Sequence, residues 1–422
     1  MIIDKLLNKY WPIVVALCAI LTVSACSVLD EGGGKFTVGA AENLDEKLVK
    51  ANNEFALHLY NQLIKTEQQG KNVLICPTSI SLALSMTYNG ADGETKDAMA
   101  DVLKLKDISL EILNEENLKL SSILQHADKD VTLEIANSIW ARKGIEFRSD
   151  FMERNKDYYN AYVKALDFSD PGASKTINGW VSKATHGKID SIVDENIDPY
   201  TVMFLINAIY FNGEWAEPFK AENTEKIPFI NQDGLETHVD MMFRNGEYNY
   251  FKGDKFQALA LPYGKERISM YIFLPDKDFM LDDLCNSMTV DNWNDWMANF
   301  SRKEGDIGLP KIELEYEKNL NDILKAMGME IAFDKEQADF GLMYDRDKLE
   351  GNIYIGNVKH KTFLQLDEKG TKAAGVTSVE MKCECALIEE DRFTMIMDRP
   401  FFFTIQDENT GTILFMGSIN KL

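Results

Sequence analysis

The sequence has few of the residues that most enzymes use for chemistry. Only five of its 422 residues are histidines, and none of them stands in a spacing such as His-x-x-x-His that is typical of metal ligands. The chain also lacks the Gly-x-Ser-x-Gly motif of many hydrolases and any glycine-rich phosphate loop. We therefore predict that the protein is not an enzyme and that it holds no metal and no cofactor.

Basic residues are also scarce. The chain has 45 Lys and Arg against 68 Asp and Glu, which gives a formal net charge of -23. An acidic surface repels phosphate groups, so the composition predicts no binding of nucleic acid. With 45% hydrophobic residues, however, the chain has ample material for a folded core.

The longest apolar run near the start, residues 13–23, is too short for a comfortable membrane span. Two lysines precede it, and it ends in "VSAC", which resembles a bacterial lipobox with Cys26 as the lipidated residue. We predict a lipoprotein signal peptide over residues 1–25 and a flexible tether over residues 26–45. The alternative is an ordinary signal peptide that is cleaved nearby. The lipid would anchor the protein in a bacterial outer membrane, on either its periplasmic side or its cell surface side.

Cysteines are few for a protein that we expect outside the cytoplasm. Once Cys18 leaves with the signal peptide and Cys26 carries lipid, the four that remain are Cys76, Cys285, Cys383 and Cys385. A bridge between the last two would be strained, because they are only two residues apart. We therefore expect neither a disulfide framework nor a zinc site.

Residues 46–422 contain no linker and no repeat, which predicts one domain. Residues 53–65 carry Phe55, Leu59 and Leu63 on one helical face, and residues 78–103 continue with helical spacing that breaks at Asn89-Gly90. Later segments change character. Residues 201–213 predict a strand buried on both faces, residues 256–276 predict two strands around a glycine turn, and residues 393–420 predict two or three strands. Helices first and strands later indicate an α+β fold.

The stretch "LDEKGTKAAGVTSVEMKCECALIEED", residues 366–391, has the period of a strand that is buried on one face. One alternate set is uncharged and mostly small: Thr371, Ala373, Gly375, Thr377, Val379 and Met381. The other set holds Lys372, Glu380 and Lys382. Glycine and alanine are poor strand formers, so the pattern describes a strand that the chain has little tendency to form by itself.

Four stretches together resemble the serpin family. Residues 72–95 resemble the entrance of its helix B, residues 205–219 its central strand, residues 261–275 its paired Leu-Pro strands and residues 397–405 its C-terminal signature. The four stretches follow one another in the order of the family, and the resemblance covers the chain from about residue 52 onward. The resemblance implies an α+β serpin fold, with helices packed around three β-sheets, a large central sheet and an exposed, insertable reactive-centre loop at about residues 368–392.

The resemblance also implies a function. In serpins the loop is bait for a protease, and it inserts into the central sheet as an extra strand after it is cut. We therefore expect a monomeric, irreversible suicide inhibitor of serine endopeptidases, or of cysteine endopeptidases, that forms a covalent complex with its target. Small residues at the start of the loop would let it enter the sheet.

Residue by residue, the resemblance implies three groups of functional positions. The hinge of the loop is Glu368, Gly370, Thr371, Ala373, Ala374 and Gly375. The region where the sheet opens holds Trp215, Lys311 and Glu368. The hydrogen-bonded cluster beneath it, the shutter, holds Ser79, Asn207 and His360. Cys76 stands where the family commonly has serine, and Val376 is bulkier than the usual hinge residue, so we expect both to change the rate of insertion.

The family register places the attacked bond between Glu384 and Cys385. The segment from residue 370 to residue 400 is several residues longer than in common serpins, so a bond after Lys382, Cys383, Cys385, Ala386 or Leu387 remains an alternative. The two neighbouring thiols are either an incidental exposed pair or a redox-sensitive one, because oxidation there would block a protease.

Two other functions remain open at this point. A serpin-fold lipoprotein without inhibitory activity would serve as a binding or carrier module. A lipoprotein of unrelated fold would capture peptides or glycans, and it would show no special sensitivity at residues 371–390.

Overall fold

The computed structural model describes residues 44–348, 351–370 and 392–422. The helices are α1 (Glu46–Thr66), α2 (Pro77–Tyr88), α3 (Gly93–Val102), α4 (Leu110–Gln125), α5 (Ser149–Tyr159), α6 (Ala173–Ala184), α7 (Leu281–Asn286), α8 (Val290–Ala298) and α9 (Asn321–Leu324). A π-helical turn covers Lys325–Met329, and 3-10 turns cover Ala221–Asn223, Glu330–Phe333 and Arg346–Lys348. Among the helices described, none is long and apolar enough to cross a membrane.

The strands are β1 (Val73–Ile75), β2 (Val131–Arg142), β3 (Tyr162–Leu166), β4 (Met203–Gly213), β5 (Thr224–Ile230), β6 (Glu236–Lys252), β7 (Phe256–Tyr263), β8 (Ile268–Pro275), β9 (Ser301–Pro310), β10 (Ile312–Asn319), β11 (Lys359–Leu366), β12 (Phe393–Ile396), β13 (Phe401–Asp407) and β14 (Ile413–Ile419). In the described part of the chain they form three hydrogen-bonded sheets. The largest has nine strands in the order β1-β14-β13-β8-β7-β6-β9-β12, with β5 paired to β6. The second has the order β3-β2-β4, and the third pairs β10 with β11.

The two predicted N-terminal helical segments are confirmed. In α1, Phe55, Leu59 and Leu63 are fully buried, and the Asp45 side chain caps the first turn by accepting a hydrogen bond from the Lys47 N–H. Helix α2 ends at Tyr88 and α3 begins at Gly93, so the break at Asn89-Gly90 is where the sequence predicts it. A Cβ on Gly90 would lie 2.8 Å from the Cβ of Met343, which explains why the tight connection uses glycine.

The three strand predictions have different outcomes. Strands β7 and β8 form the predicted hairpin around Gly264, and the C-terminus contains three strands. The prediction that β4 is buried on both faces is wrong, because Met203, Leu205 and Ile209 are only partly buried. The reason is topological: β4 pairs with β2 on one edge, and within the described residues its other edge forms no ladder and borders a cavity.

Helix α2 lies in the middle of the molecule. It is buried on nearly every side and packs against α1, β4 and β14. Helix α6 covers the opposite face of the three-stranded sheet, where Ile177 and Val181 share a core with Trp140 and Ile206. We call the α6 face of this sheet the outer face and the α2 face the inner face.

Candidate functional site: a gap between two strands

Among the described residues β4 and β11 are not paired with each other, and we call the space between their facing edges the gap. The backbone of β4 pairs with β2, and the backbone of β11 pairs with β10. No ladder joins β4 to β11 in the described part of the chain. Both strands nevertheless line the same two cavities. The two facing edges therefore carry backbone donors and acceptors that a further strand would satisfy.

The lower part of the gap is a cavity of about 530 Å³. Residues 203–208 of β4 line one side, and residues 358–361, at the start of β11, line another. Helix α2 lines the same cavity with Ile80 and Leu84. Most of the lining is apolar, and the predicted shutter residues Ser79, Asn207 and His360 are among its polar side chains.

His360 and Asn207 border this cavity but bond to different partners. The Cys76 backbone N–H donates to His360 Nε2 at 3.0 Å, so the proton of the neutral imidazole lies on Nδ1. Burial lowers the pKa of His360 to about 3, which keeps the ring neutral. Asn207 Nδ2 donates to Asn137 Oδ1 at 2.7 Å. Its own side-chain oxygen is buried, with no hydrogen-bond partner within the described residues.

The other two predicted shutter residues lie close by, at the start of α2. Ser79 is buried and lines the cavity. Cys76 is the N-cap of α2, and burial raises the pKa of its thiol to about 12. The thiol is therefore neutral and shielded, and it lacks the reactivity of an exposed thiolate.

The upper end of the gap is closed by the base of the predicted loop. The Trp215 N–H donates to Lys369 O at 2.8 Å, and the Phe219 N–H donates to Glu368 O at 2.7 Å. The Trp215 indole also donates to Asp367 O at 3.0 Å, and its ring stacks on Tyr263 at a centroid distance of 4.3 Å. These contacts hold the base of the loop against the end of β4, and we call them the clasp.

Gly370 allows this close contact. It forms an isolated antiparallel bridge with Glu214, and its φ is +125°, a conformation that side chains with a Cβ rarely adopt. A Cβ at this position would collide with the Gly213 carbonyl and would lie 2.6 Å from Trp215 N. A larger residue would therefore push the loop away from β4.

The side chain of Glu368 adds charged contacts to the clasp. Its Oε1 lies 2.7 Å from Lys311 Nζ and accepts a hydrogen bond from Thr224 Oγ1 at 2.9 Å. Partial burial acts to raise the pKa of this carboxyl, but the hydrogen bonds from Lys311, from the Glu368 backbone and from Thr224 outweigh it. The pKa of Glu368 is therefore lowered. The structure thus brings Trp215, Lys311 and Glu368 together, as the family pattern implies.

Several predicted residues lie outside the described part of the chain. They are Cys26, Thr371, Ala373, Ala374, Gly375, Val376, Lys382, Cys383, Glu384, Cys385, Ala386 and Leu387. Their roles stay predictions, as do the domain boundaries of the leader and tether. The two described cysteines, Cys76 and Cys285, are both buried and unpaired.

Sequence reasoning missed two polar residues of the site. Thr224 bonds to Glu368, which is 144 residues away, and no local pattern indicates that contact. Thr362 donates to Leu74 O at 2.7 Å and follows His360 on the buried face of β11. The alternation in β11, where His360, Thr362, Leu364 and Leu366 are all buried, was a usable signal for it.

The arrangement of the site agrees with comparisons to known proteins. The family model "serpin (serine protease inhibitor)" matches residues 50–422. The chain belongs to the serpin family. Human Serpin B8 is 33% identical over 387 residues, which cover 89% of this chain and 100% of Serpin B8.

Solved structures show the same fold. The native state of the thermophilic serpin tengpin is 34% identical, with a TM-score of 0.81 over 90% of this chain and 95% of tengpin. Thyroxine-binding globulin in complex with thyroxine is 26% identical, with a TM-score of 0.78 over 89% of this chain and 99% of the globulin. The predicted α+β serpin fold is therefore confirmed, and the relatives include a protein whose structure holds a small ligand.

Proposed function

We propose that the protein is an irreversible suicide inhibitor of serine endopeptidases, with cysteine endopeptidases as the second target class. The observation that carries the proposal is the gap between the facing edges of β4 and β11, which form no ladder with each other among the described residues and whose upper end holds Glu368 and Gly370. A strand that continued from Gly370 in this register would run between these two edges. Family membership supports the same function.

The loop sequence fits this place. Gly370 bridges Glu214 at the end of β4 and Asp367 just after β11. An antiparallel strand that continued this register would bring Ala373 between Phe211 and Leu364, which are both buried. The uncharged alternate set would then face the inner side, and the charged set would face the outer side. The alternation in the sequence therefore agrees with the faces of the two strands.

Trapping follows from the order of events. The nucleophile of the protease, a serine hydroxyl or a cysteine thiol, attacks the carbonyl of the reactive bond. An ester or thioester then joins the protease to the loop, while the peptide C–N bond breaks and a new amino terminus leaves. Insertion of the loop carries the attached protease away and distorts its active site before water hydrolyses the acyl bond. The native state persists because a kinetic barrier opposes spontaneous insertion.

The reactive bond that we propose is Glu384–Cys385, with Lys382, Cys383 and Leu387 as alternatives. A bond after Glu384 suits a protease that prefers an acidic residue, and a bond after Lys382 suits a trypsin-like enzyme. Either assignment leaves the trapping step unchanged.

We also propose that lipid on Cys26 anchors the protein in the outer membrane of a bacterium. The support is the lipobox-like sequence after the apolar run. Incorporation of labelled palmitate into the wild-type chain, and its loss in Cys26→Ala, would test this part alone.

The decisive experiment incubates the purified protein with trypsin-like, elastase-like, glutamyl and papain-like proteases. Denaturing gels then show whether a covalent complex forms, and mass spectrometry of the released C-terminal peptide identifies its first residue. A complex that survives denaturation establishes trapping, and the first residue of the peptide locates the reactive bond.

A carrier function is the second candidate, because a solved relative is a thyroxine-binding globulin in complex with thyroxine. If every protease cleaves the loop and leaves without forming a complex, inhibition of those classes is excluded and the carrier function becomes the better explanation. A small, uncharged hinge is not needed by a carrier, so the sequence favours inhibition.

A further inference from the structure

Strand β3 is the most exposed strand that the structure describes. Its five residues, Tyr162–Leu166, include none that is buried, whereas every other described strand buries at least one side chain. β3 lies at one end of the three-stranded sheet, where its ladder with β2 occupies one edge of the strand. No described strand pairs with the other edge, so the backbone N–H and C=O groups along it suit the addition of a further strand.

Other edge strands of the protein carry features that discourage pairing. β5 contains a proline, which cannot donate a backbone hydrogen bond, and the glutamates of β10, Glu313, Glu315 and Glu317, are all exposed. Proline and charge are the usual protection of a sheet edge against association. β3 has no proline, one charged residue and the strand-favouring residues Tyr162 and Val163. It is therefore the edge that is best suited to accept a partner strand.

The outer face of β3 carries an aromatic surface. The Tyr162 ring lies nearly parallel to the Trp180 ring on α6, at an interplanar angle of 19° and a centroid distance of 6.4 Å. Both rings contact the buried Trp140 ring, at centroid distances of 5.5 Å and 6.1 Å. Tyr162 is nevertheless 46% exposed. Tyrosine and tryptophan combine apolar area with a polar group, so such a surface is typical of the anchors of protein interfaces.

A positive charge lies beside this aromatic surface. Lys164 is two residues from Tyr162, so alternation puts both on the outer face. Lys164 is exposed and forms no ion pair with any residue that the structure describes. On a chain with a formal net charge of -23, an unpaired lysine favours a partner that brings an acidic side chain. A second copy of this chain is a poor match, because antiparallel pairing of β3 with itself about its central residue would set two lysines opposite each other.

We propose that β3 is a docking edge for an extended acidic peptide of a partner protein, which adds to the three-stranded sheet as a further strand. The main chain of the peptide bonds to the unpaired edge, and its side chains give specificity. In an antiparallel register, an acidic residue faces Lys164, and an apolar residue two positions later lies on Tyr162 and Trp180. The site is at the opposite end of this sheet from the gap, so the inference does not depend on the proposed inhibition.

The test uses the purified full chain and two fluorescein-labelled peptides. The first has the sequence Val-Thr-Glu-Val-Phe, which sets its glutamate opposite Lys164 and its phenylalanine opposite Tyr162. The second has lysine in place of glutamate. Fluorescence anisotropy gives the dissociation constant of each peptide. We expect the wild type to bind the glutamate peptide about three- to tenfold more tightly, because opposite charges attract across a strand pair and like charges repel.

Reversal of the charge on β3 is the sharpest variant. Lys164→Glu should bind the lysine peptide more tightly than the glutamate peptide. Tyr162→Ser removes the aromatic contact and should weaken both peptides alike, by about fivefold. The matched control is Lys277→Glu, which makes the same charge change on the exposed connection between β8 and α7 and should keep the wild-type preference. Circular dichroism and thermal unfolding check that each variant is folded.

The outcomes are decisive for this edge. If the wild type binds neither peptide at up to about 1 mM, or binds both equally well, β3 is not a docking edge for acidic peptides. A preference that Lys164→Glu does not reverse would place the peptide elsewhere on the surface and would also overturn the proposal. Self-association of the wild type that Tyr162→Ser abolishes would identify a second copy as the occupant instead. Complex formation with proteases is a separate measurement, so either proposal can fail without the other.

Discussion

The upper and lower parts of the gap are built differently. The upper part holds the polar contacts of the clasp around Glu368, and the cavity between residues 209–212 of β4 and the outer side of β11 is about 30 Å³. The lower part is a largely apolar space of about 530 Å³, where the side-chain oxygen of Asn207 has no partner within the described residues. Polar contacts therefore dominate the upper end, where the loop would enter, and a cavity lies in the lower part. On the proposed function, we expect the barrier to strand insertion to lie at this upper entrance.

The largest effect on complex formation should come from a charged side chain placed on the loop residues that would face the inner side of the sheet. In Ala373→Arg, an arginine would have to enter the inner face between Phe211 and Leu364, and burial of an unpaired charge costs several kcal/mol. We expect the yield of protease complex on denaturing gels to fall at least tenfold, with the variant cleaved as a substrate.

The control for this variant is Lys372→Arg, which puts the same side chain on the outward set. It should form the complex as the wild type does. Equal complex formation by Ala373→Arg would show that the loop does not insert in the register set by Gly370.

The lower part of the gap should make stability depend on pH through His360. Burial lowers the pKa of this imidazole to about 3, whereas in the unfolded chain it is about 6.5. The neutral imidazole therefore stabilises the folded state fully above pH 6.5, and this stabilisation is lost as the pH falls toward 3. Between pH 7 and pH 5 we expect the free energy of unfolding to fall by about 2 kcal/mol.

This fall should be much smaller in His360→Gln, whose amide oxygen still accepts from the Cys76 N–H. Urea unfolding at a series of pH values measures it. His238→Gln removes an exposed histidine and should keep the wild-type pH dependence. A His360→Gln variant with the full wild-type fall would contradict the assignment.

The upper part should respond to loss of charge in the clasp. In Glu368→Gln the carboxylate that bonds Lys311 and Thr224 becomes a neutral amide, so a charge-assisted hydrogen bond is lost. We expect the uncleaved chain to convert to an inserted, more heat-stable form about tenfold faster, as followed by native gels during incubation at elevated temperature. Glu315→Gln removes the exposed carboxylate of Glu315, which pairs with Lys361 on the neighbouring strand, and its conversion rate should not change. A slower conversion in Glu368→Gln would mean that the clasp promotes insertion.

The smallest effect should come from Cys76→Ser. A hydroxyl is a better donor and acceptor than a thiol, but the backbone N–H at this position, which bonds His360, is retained. We expect the rate of insertion to change by less than about threefold and the complex to form normally. A change of tenfold or more would show that this side chain takes part in opening the gap.

Much of the fold was predictable because its signals are local. The helical spacing of Phe55, Leu59 and Leu63 and the glycine turn between β7 and β8 need only neighbouring residues to be recognised. The motifs that resemble serpins added the order of the elements. Trp215, Lys311 and Glu368 were found through that resemblance, since they are distant in sequence and have no common local pattern.

The rest was not predictable because it depends on what lies beside an element. The apolar run of β4 predicts a strand with both faces covered, but nothing in residues 201–213 reveals that only one edge forms a ladder with another described strand. The contact between Thr224 and Glu368 joins parts of the chain 144 residues apart.

The facing edges of β4 and β11 have a consequence for the supply of the protein. On the proposed function, filling the gap forms two ladders of backbone hydrogen bonds at once, along strands of eleven and eight residues, and nothing in the cycle removes the strand again. Each molecule then acts once and is consumed together with one protease. Protection of a cell would be set by the number of copies at its surface and by the rate of their synthesis, so a burst of protease larger than that number would exhaust it.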